Sequence, residues 1–311
     1  MEHGLPNPFS TCYINAFLQC MMATKSFVDA CESAGDPLGF MKLRELNDNQ
    51  ELKKNYREMI QKLQKEIPCI NVFEFNDVHE FMMLCMDFMH EQSRAPLVLI
   101  EPERYRKNVY VQLKKMCDEK LAKHNSCFSH KFYSTMVLQT DCGRCKSVNL
   151  NVELVLSIDI SNGLIKSNGD FDYLLKKHFR SMKVPDWKCE KCNKYHPESM
   201  RYMYIWRPAD VMIMLIKRTR YVKDRAYKLT QLIEPPQSLD IRQYVLSQED
   251  TTKYTMRSLC THHGDMNHGH YTASVCQGGS FKEYDDMVIY DTNSFDKENV
   301  YIILYEKIAD V

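Results

Sequence analysis

The pattern of apolar positions divides the chain into a helical first part and a strand-rich remainder. Ile14, Phe17, Leu18, Met21 and Met22 recur at helical spacing after Ser10 and Thr11, two residues suited to cap a helix N-terminus. Leu52, Tyr56, Met59, Ile60, Leu63 and Ile67 repeat the pattern among lysines and glutamates. That predicts an amphipathic helix over 51–67 with one buried stripe and one solvated face. Val78 to Met89 is apolar almost all round and predicts a deeply buried third helix. Residues 93–127 are mixed and charged and read as loop plus helix. From Phe132 the period changes to two, and the alternation from Val148 to Ile160 predicts one half-buried strand. A Gly/Asn/Ser loop over 161–170 and a short helix over 171–180 follow. Strands are then expected at 200–206, 210–217, 253–262, 270–277, 281–285 and 299–306, with Pro235-Pro236 marking a connection. Helices first and strands afterwards predict an α+β fold rather than a wound parallel sheet.

Charge and composition narrow the function classes. The 41 Lys+Arg residues balance 41 Asp+Glu, which removes any chain-wide attraction to nucleic acid or an anionic membrane. No apolar run approaches the roughly 18–20 residues of a membrane helix, and the N-terminus lacks the pattern of a signal peptide. An intracellular protein of cytoplasm or nucleus is expected. With barely a dozen residues ahead of Cys12, recruitment is expected to come from this domain's own surface. Thirteen cysteines in such a chain argue for free thiols rather than a disulfide framework. Eight of them read as small buried apolar residues, which leaves five with chemistry to explain.

Cys12 lies at or just inside the first predicted helix, where unpaired backbone N–H groups favour a thiolate. A cysteine so placed is otherwise a half-buried residue on a capped helix. What gives it meaning is a base elsewhere. His270 begins a predicted strand, and Gln277-Gly278-Gly279-Ser280 is a hairpin signal. With Gly278 and Gly279 as the loop, paired residues sum to 557, so Thr272 faces Asp285. Asp285 is then a diagonal, same-face neighbour of His270, whereas Asp286 points away. A one-residue slip would exchange the two aspartates. A thiol, an imidazole and a carboxylate in these roles form a protease triad, and Asn7 is a candidate donor to the oxyanion.

The remaining four cysteines form two pairs, Cys142-Gly-Arg-Cys145 and Cys189-Glu-Lys-Cys192. Each is the usual half of a tetrahedral zinc site, although 43 residues separate them. Such an ion would be structural, with no open position. His196 is a weaker alternative ligand.

Together these segments resemble the ubiquitin-specific protease family of cysteine deubiquitinases. Gly4, Leu5, Asn7, Thr11, Cys12, Tyr13, Asn15, Leu18 and Gln19 match its first box. Asn76-Asp77-Val78-His79-Glu80-Phe81 is similar to its second. The cysteine pairs and the run from Ile205 through Lys217-Arg218 resemble the middle boxes. His263-Gly264, Gly269-His270-Tyr271-Thr272-Ala273 and Tyr284-Asp285-Asp286 resemble the last. The resemblance implies a papain-like hand: a helical thumb over 1–130, zinc-bearing fingers over 131–205 and a β-rich palm over 206–311. It implies Cys12 as nucleophile, His270 as base, Asp285 as third member and Asn7 as oxyanion donor. Ubiquitin and its conjugates are the implied partners of a monomeric enzyme, with Asp77 and Glu80 meeting arginines of the ubiquitin tail. Tyr271 is expected to line the channel for the Gly-Gly end, with packing as the alternative. Asp77 is also placed to cap the third helix. Phe9-Ser10 replaces the family's Gly-Asn, Asn76 its Gln, and Thr219 an aromatic. The competing functions are a zinc-stapled ubiquitin-binding module that does not cleave, and a protease for another ubiquitin-like modifier.

Overall fold

In the computed structural model all residues are described except 47, 96, 98–108, 162–168, 224, 248–250, 266–267 and 309–311. Parts of the expected loops over 93–127 and 161–170 therefore lie outside the described residues. Seven described helices precede the first strand: α1 (Cys12–Met22), α2 (Lys25–Ser33), α3 (Phe40–Arg44), α4 (Asn49–Glu66), α5 (Val78–Gln92), α6 (Val109–Lys123) and α7 (Ser129–Phe132). Among the described residues the rest is mainly antiparallel β-structure with one further α-helix, α8 (Phe171–His178), and a short 3-10 helix at Arg242–Tyr244. The fold is α+β.

The large sheet orders its strands β15 (Val288–Thr292), β14 (Ser280–Asp285), β13 (Gly269–Gln277), β12 (Lys253–Gly264), β16 (Val300–Lys307), β7 (Val211–Lys217) and β3 (Ser157–Ser161). The short β11 (Ser238–Asp240) also pairs with β12. The apolar run of β7 follows from its central place. Val211, Ile213 and Leu215 join the core shared with the helices, while Met212, Met214 and Ile216 join a second core with α8 on the other face. A four-stranded sheet holds β2 (Val148–Val155), β1 (Ser134–Asp141), β6 (Met200–Arg207) and β5 (Met182–Lys183). Two small pairs complete the set: β4 (Gly169–Asp170) with β10 (Ile233–Glu234), and the hairpin of β8 (Thr219–Val222) and β9 (Arg225–Lys228).

Several expectations need correction. The alternation from Val148 to Ile160 is two strands, because the chain leaves the four-stranded sheet at Val155 and enters the large one at Ser157. Period-two alternation continues through the crossing, so the pattern alone hides it. Helix α5 buries one face only; Glu80, Met83 and Asp87 are exposed. Helix α1 is the reverse case, with all eleven residues buried despite Asn15 and Gln19. It packs against α2, α5, β12, β13 and β14. Phe17 meets the rings of Phe27, Phe40 and Phe81 edge-on, and Gln19 Nε2 donates to the His3 carbonyl at 2.9 Å. Of the eight cysteines expected inside, Cys69 is exposed, and Cys127 and Cys276 are half-buried. No described helix is long and apolar enough to cross a membrane.

A buried carboxylate ties the helices to the sheet. Glu306 of β16 accepts from the backbone N–H and the hydroxyl of Ser26, both at 2.9 Å, and from Arg257 Nε at 2.9 Å. It thus satisfies an N–H in the first turn of α2, whose own N-cap residue, Thr24, turns its hydroxyl to the Met21 carbonyl instead. Glu306→Ala leaves these donors unpaired. We expect a loss of about 1–3 kcal/mol in urea unfolding; an unchanged midpoint would contradict this role.

Candidate active site

The hairpin carrying His270 has the expected register. Gln277 pairs with Ser280 and Ala273 with Tyr284, and Gly278 and Gly279 both hold the positive φ that the loop requires (57° and 107°). His270 Nε2 lies 2.6 Å from Asp285 Oδ1, which leaves Nδ1 for a second partner. The neighbour that influences the ring most is Cys12, the first residue of α1. Hydrogen bonding to its sulfur is the largest influence on His270 and raises the imidazole to about 9, against the lowering effect of burial. Asp285 adds a smaller rise. Cys12 is buried, whereas the His270 and Asp285 side chains stay partly open to solvent. The structure therefore brings Cys12, His270 and Asp285 together.

Asp286 stays within 4.8 Å of the His270 and Asp285 donor atoms, but its hydrogen bonds go elsewhere. The chain reverses between β14 and β15 with Asp286 at φ 51°, and its carboxylate faces the N-terminal segment. Asn7 Nδ2 donates to Oδ2 at 2.8 Å and Asn15 Nδ2 to Oδ1 at 2.7 Å. Asn7 Oδ1 accepts from the Thr11 N–H at 2.9 Å and the Thr11 hydroxyl at 3.0 Å. Thr11 occupies the N-cap position of α1 without capping it through its own side chain, contrary to expectation. The lead-in to Cys12 is also gripped by the loop before α5. Ser10 N–H donates to the Val72 carbonyl at 3.0 Å, and Phe9 packs edge-on against Phe73.

Asp77 does cap α5. Its Oδ1 accepts from the N–H groups of His79 at 2.7 Å and Glu80 at 3.1 Å, while Oδ2 accepts from the Tyr301 hydroxyl at 2.7 Å. Both oxygens are engaged, and Glu80 remains exposed. A cavity of about 100 Å³ touches both carboxylate residues and Tyr13, Cys69 and Asn76. Tyr271 is set in an aromatic stack. It is buried, with Phe75 stacked on its ring at 5.6 Å and His262 at 4.7 Å. No local pattern announced Phe75, because the contact joins segments nearly 200 residues apart. Arg218 was legible only as part of a motif. Buried, it donates to the carbonyls of Val300, Leu229, Gln231 and Lys297 and clamps β16 to the chain after β9.

The two cysteine pairs fold alike. Lys146 N–H returns to the Cys142 carbonyl and Asn193 N–H to the Cys189 carbonyl, and both Lys146 and Asn193 adopt positive φ. All four sulfurs lie within 4.8 Å of one another, with Cys142 to Cys192 at 3.8 Å and Cys145 to Cys189 at 3.6 Å. Four thiolates around one tetrahedral zinc at roughly 2.3 Å stand about 3.8 Å apart, so this cluster could hold such an ion. Ser147, which the sequence did not single out, bonds to Cys145 and Cys189 sulfurs and is the main cause lowering Cys189 to about 6. His196 is no ligand here: its Nδ1 accepts from the Glu198 N–H.

Comparison with known proteins agrees with this architecture. The mouse ubiquitin carboxyl-terminal hydrolase 17-like protein D is 23% identical over 99% of this chain and 55% of its own length. Arabidopsis thaliana ubiquitin carboxyl-terminal hydrolase 8 is 26% identical over 40% of this chain, 15% of its own. The chain thus spans only part of the curated relatives it matches. Among solved structures, the SAGA Ubp8/Sgf11/Sus1/Sgf73 DUB module bound to ubiquitin aldehyde has a chain of the same fold. Its TM-score is 0.76 at 19% identity, covering 99% of this chain and 70% of that one. The model of the ubiquitin carboxyl-terminal hydrolase family matches residues 3–305, and the chain belongs to that family.

Proposed function

We propose that this chain is a thiol-dependent deubiquitinase that cleaves the isopeptide or peptide bond after the C-terminal Gly of ubiquitin. The observation that carries the reading is the line of sulfur, imidazole and carboxylate at Cys12, His270 and Asp285. Cys12 passes its proton to His270, and the thiolate attacks the glycyl carbonyl, forming a C–S bond. Asp285 holds the Nε2–H tautomer and stabilises the imidazolium. Asn7 Nδ2 donates to the developing oxyanion. As the C–N bond breaks, His270 returns the proton to the leaving amine. Water then attacks the thioester, His270 takes its proton, and the C–S bond breaks to release a carboxylate and restore the thiol.

Glu80, with the cavity beside it, is the acidic group left to meet a basic side chain of the ubiquitin tail, since Asp77 is occupied by capping and Tyr301. For Tyr271 to line the path of the terminal glycines, the Phe75 ring has to move off it. In the hand implied by the resemblance, the helices form the thumb, the four-stranded sheet the fingers and the large sheet the palm. Cys142, Cys145, Cys189 and Cys192 would hold one zinc, which crosslinks the finger tip and supplies no catalysis.

A fluorogenic ubiquitin C-terminal amide tests the activity. Wild-type turnover should fall to background in Cys12→Ala, together with labelling by an electrophilic ubiquitin probe. Turnover that survives the substitution would remove Cys12 as nucleophile; no wild-type turnover but tight ubiquitin binding would favour the non-cleaving module. Metal content is checked separately. About one zinc per chain is expected by atomic absorption, and Cys142→Ser should lose it and melt at a lower temperature. Full metal at an unchanged melting temperature would rule the site out.

A further inference from the structure

We infer that the tip of the four-stranded sheet, around the four clustered cysteines, is a docking surface for single-stranded RNA. The inference does not depend on the hydrolase reading. It starts from a local charge excess that the balanced total of the chain conceals. Residues 142–147 and 180–201 build this end of the molecule and carry eight Lys and Arg against three Asp and Glu. A zinc ion on four thiolates would add two negative charges from beneath, too few to reverse the sign.

The fold gathers these cations on one small knob. The turns Cys142–Cys145 and Cys189–Cys192 point their sulfurs at one another, all within 4.8 Å. The residues between and just after the cysteines are left outside, so Arg144, Lys146, Lys191 and Lys194 are exposed. Asn193, with φ at 53°, reverses the chain after the second pair, and the Cys189 N–H donates to the Lys194 carbonyl at 2.9 Å. That reversal sets Lys188 opposite Tyr195 in an antiparallel bridge. Residues so paired stand about 5 Å apart, which places an ammonium beside a ring. The Tyr195 side belongs to solvent: the residue is 62% exposed.

Most of these charges are uncommitted. Elsewhere lysines pair with carboxylates, as Lys25 does with Asp29, Lys114 with Asp118 and Lys217 with Asp159 at 2.7, 2.9 and 2.8 Å. At the tip, Lys183 holds Glu198 at 2.9 Å, and Lys146 turns to the Gly143 carbonyl at 3.0 Å. Among the described residues Arg144, Lys188, Lys191 and Lys194 form no ion pair, although Glu190 lies in the same turn.

Unpaired exposed cations suit a phosphate backbone, whose condensed counterions they release. The ring decides between polyanions. An acidic protein segment would use the ammonium groups and leave Tyr195 idle, and the bases of a duplex are already stacked on one another. An unpaired base can stack on the exposed ring while its phosphates meet the lysines beside it. Unpaired bases are the usual target of RNA recognition, small cysteine knuckles included.

Fluorescence anisotropy of the intact chain with a labelled, unstructured RNA of about 12 nucleotides tests this surface. Log affinity should fall against log salt with a slope of about −3, as for four or five phosphate contacts. Lys191→Glu/Lys194→Glu should weaken binding at least about 10-fold and flatten the slope. The same charge change at the exposed Lys53 and Lys54 of α4, Lys53→Glu/Lys54→Glu, should leave affinity within about twofold. Tyr195→Ala keeps every charge and should weaken binding about 10-fold at an unchanged slope, so a poorly folded double variant does not end the test. DNA of the same sequence should bind no more tightly than RNA. No binding at about 50 mM salt would overturn the inference, as would equal losses in the α4 variant or full affinity in Tyr195→Ala. Duplex RNA bound as well as the single strand, or DNA bound more tightly, would also overturn it. Polyglutamate that displaced RNA at equal charge would do the same and make the partner an acidic protein.

Discussion

Burial of helix α1 on all sides is the constraint from which the candidate site follows. An amphipathic helix can rotate or slide on a sheet at modest cost, but one enclosed by α2, α5, β12, β13 and β14 has no free face. Its first residue is Cys12, and β13, one of the strands it packs on, begins at Gly269-His270. Sulfur and imidazole meet because two elements from opposite ends of the chain share one core. The polar residues inside α1 support that placement. Asn15 joins the Asp286 turn to α4, and Gln19 holds the segment at His3.

Charge at the site is divided by backbone geometry. Asp285 and Asp286 are chemically equivalent in the sequence, yet a strand end followed by a left-handed turn sends one to the imidazole and the other to a pair of amides. The same economy recurs in the cysteine cluster. Two hairpins with matching backbone bonds and a left-handed residue after each pair bring four sulfurs from distant segments to the spacing one tetrahedral ion needs.

Much of this was legible wherever the governing interaction is local or periodic. The Gly278-Gly279 loop fixes its own register and hence the face shared by His270 and Asp285, and the apolar run of β7 declares a strand covered on both sides. The C-x-x-C pairs announce themselves by spacing. What stayed hidden depends on partners far away in the chain. Periodicity could not show that the segment from Val148 to Ile160 changes sheets, nor that α1 buries its amides. Stacking of Phe75 over Tyr271 has no local signal, and neither does the Glu306 carboxylate at the start of α2. Asp77 shows the boundary between the two cases: its capping bonds were readable from the sequence, but its bond to Tyr301 was not.

The most direct test of the account is an NMR titration of the His270 ring in the intact chain and in Cys12→Ala. Hydrogen bonding to the Cys12 sulfur is the main influence raising His270, so the wild-type ring should titrate near 9 and the variant distinctly lower. A wild-type midpoint at or below the ordinary value of about 6.5, unmoved by loss of the sulfur, would contradict the pairing on which the enzyme reading stands.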